Sequence, residues 1–150
     1  MKKIEVLSFV NMGGLSITAN DLDASHAYKV IKFKKAVKKV FDDIIEFEKD
    51  ALKEAGIEDG MAFDKERKEL SESGSDPKRL EELNKQFERF IEIRNNAYNE
   101  DAELEGVKAL PYEQFHSLQQ ENKNLQNKPL NAFETILEGV LWNMPEEGEE

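Results

Sequence analysis

Apolar residues recur along this chain at two different periods, and the change of period divides it into elements. The stretch from Lys3 to Val10 is rich in β-branched and aromatic residues. Asn11, Met12, Gly13 and Gly14 follow, then the alternating stretch Leu15-Ser16-Ile17-Thr18. Strand-forming types flanking a pair of glycines predict a β-hairpin over residues 3–18. A lone hairpin is marginal in water, so it needs a helix to pack on or a third strand, for which Glu103 to Leu110 is the candidate.

The period then changes. Val30, Phe33, Val37, Val40, Ile44, Phe47 and Ala51 follow steps of three and four, and Phe41 and Leu52 widen the stripe. This pattern predicts one amphipathic helix over residues 24–55, about 45 Å long at about 1.5 Å per residue. Asn20, Asp21, Asp23 and Ser25 offer caps at its start, and Gly56 offers a left-handed residue at its end. Residues 57–75 are read as a polar loop, either mobile or partly helical around Phe63 to Leu70, and no chemistry is placed there. Pro77 opens a second long helix over 77–99, whose seam holds Leu80, Leu83, Phe87, Phe90, Ile91 and Ala97.

Two helices with one apolar side each bury those sides most simply as an antiparallel hairpin. Pro111 and Pro129 open shorter helices over 111–121 and 130–143, and the tail 145–150 is acidic. The expected fold is therefore mainly α with a small β element (α+β): one domain over residues 1–144, a long-helix hairpin covered by an N-terminal β-hairpin and two short helices.

Charge adds an asymmetry. Residues 1–40 hold eight lysines against Glu5, Asp21 and Asp23, a balance of +5, while residues 41–150 hold 13 basic against 29 acidic groups, a balance of −16. Six of those lysines, Lys29, Lys32, Lys34, Lys35, Lys38 and Lys39, lie within eleven residues, on the side of the long helix away from its apolar stripe. They form a cationic ribbon that is either a solvated face or a contact for an acidic protein surface. Nucleic acid is the disfavoured partner, because neither arginine forks nor an exposed aromatic platform accompanies the ribbon. Trp142, at the end of the last helix, either closes the core or serves a partner.

The motifs of catalysis are missing. With no cysteine and two histidines, the chain has no thiolate chemistry and few options for a general base. Glu113-x-x-His116 is half of a dimetal helix motif, and its other half is absent. Asp21-x-Asp23 reads as helix capping, and Met12-Gly13-Gly14 as a turn without the lysine of a phosphate loop. No cofactor, metal site or small-molecule substrate is expected. No segment approaches the roughly 20 apolar residues of a membrane span, and the amino terminus makes a poor secretory signal, so a cytoplasmic or virion location is expected.

The stretches LDASHAYKVIKFKKAVKKVFDDIIEFEKDALKEAG and LNKQFERFIEIRNNAYNEDAELEGVKAL resemble a family of small uncharacterised helical proteins encoded by tailed bacteriophages and prophages. Ala27-Tyr28, Phe47-Glu48, Gly56, Phe87 to Ile91 and Glu103 to Val107 carry the likeness, which covers about half of the chain. The resemblance implies a phage setting and no particular activity. Together with the missing motifs, it favours a non-enzymatic structural, assembly or interaction protein that binds a protein partner or itself. The alternative is an acidic inhibitor or regulator of a nucleic-acid-binding enzyme, with charge spacing that mimics DNA.

Overall fold

The computed structural model describes residues 1–123. Among them the chain is mainly α-helical and contains no strand. The expected β-hairpin over 3–18 is replaced by helix α1, Lys3–Asn11, and a 3-10 turn at Gly14–Ser16. Packing overrides strand propensity here: Val6 and Phe9, three residues apart, are both fully buried, and the Phe9 ring meets Phe33 edge-on at 5.7 Å. The Glu5 carboxylate accepts the Lys2 amide at 2.6 Å and so satisfies one free donor at the helix start. Gly13, at φ 92°, turns the chain out of α1. Among the described residues the β-type pairing is an isolated antiparallel bridge from Lys2 to Asp101, and Glu103 to Leu110 has no strand.

Helix α2 runs over Ala24–Glu54, α3 over Gly60–Ser73, α4 over Pro77–Tyr98 and α5 over Tyr112–Glu121. The loop expected over 57–75 is thus mostly helix. Asp59 caps α3 by accepting the Met61 and Ala62 amides at 3.0 and 3.1 Å, and Gly74, at φ 61°, ends it. Asp76 caps α4 through the Arg79 amide, with Pro77 in its first turn.

The chain falls into two compact units, with α2 contributing to both. In the first, whose described residues are 1–42 and 100–123, Val30, Phe33 and Val37 of α2 are buried along with Val6, Phe9, Ile17, Phe115 and Leu118. Asn122 is the buried polar residue here. Its side-chain amide accepts from the Thr18 N–H at 3.1 Å and donates to Thr18 O and Leu118 O at 3.0 and 2.9 Å. Glu121 beside it accepts from the Thr18 hydroxyl and the Asn20 and Asp21 amides. Burial alone would raise the Glu121 carboxyl, and these hydrogen bonds outweigh it and hold the group below its ordinary value.

The second unit, residues 43–99, packs Ala55, Ile57, Phe63 and Leu83 into a core flanked by Leu52, Leu70, Phe87 and Phe90. Contacts from Tyr98 to Glu48 and from Gln86 to the Gly56 carbonyl run α4 antiparallel to the end of α2. Helix α3 is the addition to the hairpin expected from the sequence, and it packs closely on α4. The expected helix over 130–143 and the tail 145–150 lie outside the described residues.

Candidate interaction surface

Helix α2 fixes the direction of every lysine in the ribbon, since Val30, Phe33, Val37 and Val40 commit one side to the core. The six do not share one environment. Lys29 and Lys34 are half-buried, with their ammonium groups donating to the carbonyls of Ala109 and Ile17 at 3.2 and 3.0 Å. These two tie loop segments to the helix. Lys38 pairs with Asp42 at 2.7 Å in an exposed i,i+4 bridge.

Lys32, Lys35 and Lys39 remain exposed on the outer side, in line with Tyr28 at steps of four, three and four. Tyr28 is 57% exposed, Ile31 beside it 52%, and the Lys32 ammonium stands 5.1 Å from the Tyr28 ring centroid. An exposed aromatic therefore does accompany the ribbon, contrary to the sequence expectation. Tyr28 to Lys39 spans about 16 Å of helix at about 1.5 Å per residue. The stripe has an apolar head, Tyr28 and Ile31, and a cationic body.

Other sequence candidates find structural uses. Asp23 caps α2, accepting the His26 amide at 3.0 Å, and its second oxygen meets the His26 ring at 2.8 Å. The His26 backbone and side-chain hydrogen bonds hold the Asp23 carboxyl below its ordinary value. Asp21 offers its own amide to Glu121. Glu113 and His116 lie exposed on α5, where His116 stacks on Tyr112 at 6.2 Å. Among the described residues no three potential metal ligands gather, and no helix is long and apolar enough to cross a membrane. Trp142 lies outside the described residues.

Two features escaped the sequence reading. On α4, Tyr98 donates to the half-buried Glu48, and the Arg94 guanidinium stands 5.1 Å from the Tyr98 ring. Burial pushes the Glu48 carboxyl up, with the Arg94 charge opposing. The other is a polar cleft between α3 and α4, in the segment to which no chemistry had been assigned. Its only linear signal is the 3–4 spacing of Asp64, Arg67, Lys68 and Ser71, visible once a helix is granted. No protein-family model matches this chain, and neither a curated protein nor a solved structure does.

Proposed function

We propose that this protein acts without catalysis, as a structural, assembly or interaction component, and that it binds a protein partner along the Tyr28 to Lys39 stripe. The observation that carries the reading is an exposed aromatic–aliphatic pair set at the head of three exposed lysines on one helix side. Burying Tyr28 and Ile31 against a partner removes apolar surface from water, while Lys32, Lys35 and Lys39 steer and orient an acidic surface. The family resemblance supplies the setting, a phage or prophage, in which the protein is a virion part or an assembly factor.

Copurification with particle components, together with light scattering on the purified chain, tests this directly. Association with a particle component or with a second copy is expected. It should be lost when Tyr28→Ala is combined with Lys32→Gln, Lys35→Gln and Lys39→Gln, while the circular dichroism stays that of the wild type. A chain that is strictly monomeric and captures no such component overturns the reading. Genes for packaging, head or tail proteins beside its own would place it in the proposed setting.

A further inference from the structure

We propose that the cleft between α3 and α4 is a binding site for a small hydroxyl-bearing phosphate monoester, with the phosphoryl group held by Arg67, Lys68, Ser71 and Asn84. The cleft measures about 330 Å³, at the lower end of the range for small-molecule sites. Arg67, Lys68 and Ser71 stand on one side of α3, and Asn84 faces them from α4, one turn beyond Leu80. The site draws on residues different from those of the α2 stripe.

Arg67 is fixed before any ligand arrives. Its guanidinium lies 4.1 Å from the Phe87 ring centroid and 5.8 Å from that of Phe63, and its Nε donates to Asn84 Oδ1 at 3.2 Å. A planar guanidinium held by stacking and one hydrogen bond loses little further freedom when it grips an anion. Its Nη1 stands 4.0 Å from the Asp64 carboxylate, too far for a hydrogen bond, so the Nη donors remain available. Because Asn84 Oδ1 faces the guanidinium, its Nδ2 remains a donor. Lys68 and Ser71 line the same cleft, so four residues around it carry hydrogen-bond donors.

That set selects the ligand class. Two cations against one carboxylate leave a positive excess, although residues 43–99 as a whole carry 16 acidic against 10 basic groups. A flat carboxylate would engage little beyond the arginine fork. A phosphoryl dianion offers acceptor oxygens in several directions and can use all four side chains. Asp64, which also lines the cleft and whose side chain is 73% exposed, then accepts from a hydroxyl on the organic part.

The test is a titration of the full-length chain, followed in ¹H–¹⁵N spectra that include the Arg67 Nε–H and Asn84 Nδ2 signals. The probes are glycerol phosphate, inorganic phosphate and glycerol. Glycerol phosphate should give saturable shifts at Arg67 and Asn84, while glycerol gives none. Lys68→Gln should weaken binding by about tenfold with the rest of the spectrum intact, as the loss of one charged donor predicts. Asp64→Asn should erase the preference for glycerol phosphate over inorganic phosphate. Shifts that do not saturate, that ignore Lys68→Gln, or that appear equally at Lys32, Lys35 and Lys39 overturn the site. Equal affinity for both phosphates in the wild type overturns the monoester in favour of the free ion.

Discussion

At the residue scale, two glycines with different reasons for being glycine make a sharp comparison. A Cβ on Gly14 would lie 2.4 Å from the buried Phe9 ring, whereas one on Gly74 would meet nothing within 4 Å but would sit at φ 61°. Gly14→Ala should cost about 1–3 kcal/mol through overpacking, and Gly74→Ala about 1 kcal/mol through backbone strain. Urea denaturation separates the two, and equal costs would count against the Phe9 contact. Asn122→Ala removes hydrogen bonds that link the end of α5 to Thr18 across 104 residues, for about 1 kcal/mol. The role of Asn122 does not show in the sequence, because it depends on what a distant segment brings. The same holds for the ribbon: periodicity puts six lysines on one side of α2, but the carbonyls that occupy Lys29 and Lys34 come from Ala109 and Ile17.

At the scale of elements, legibility follows the length of the apolar pattern. Helices α2 and α4 repeat the three–four step over several turns, and the structure ends each within one residue of the expected position. Helix α1 is only nine residues long, and Ile4, Val6, Leu7, Phe9 and Val10 satisfy a strand as readily as a helix. Phe33 decides between them. Helix α3 is hidden for the opposite reason: Phe63 and Leu70 are its apolar contributions to the core, so its support comes from the Asp59 cap, the Arg67 stack and the Arg79–Glu66 ion pair at 2.8 Å. Asp59→Ala should therefore lower stability by about 1 kcal/mol, and amide exchange should rise first in α3.

Where α2 meets α4, the raised Glu48 carboxyl gives a pH test with a definite sign. A carboxyl whose folded pKa lies above its ordinary value of 4.5 contributes stability that is fully present below that value and is lost as pH rises through the folded pKa. Wild type should lose stability relative to Glu48→Gln as pH rises above 4.5. The lowered Asp23, Asp101 and Glu121 act in the reverse sense but cancel in the comparison. A gap that stays flat with pH would mean that Arg94 and the Tyr98 hydroxyl balance the burial.

At the scale of the whole molecule, the question is whether the α2 stripe acts through its own chemistry or through the field of a chain with net charge −11. A protein this acidic repels an acidic partner at long range, yet at physiological salt the Debye length is about 8 Å, so the nearest charges dominate once surfaces approach. Neutralising Lys32, Lys35 and Lys39 makes the chain three charges more negative, and so does neutralising the exposed Lys65, Lys78 and Lys123. Net charge is matched between the two variants while the stripe is altered in only one. If the local face matters, the first set should slow association with the partner and flatten its salt dependence, and the second should leave both near wild type. Equal slowing by both sets, read from association rates across a salt series, would assign the effect to the overall field. In that case Tyr28 and Ile31 would be the remaining basis for specificity, and Tyr28→Ala alone, which changes no charge, should then raise the dissociation rate while leaving the salt dependence of association as it was.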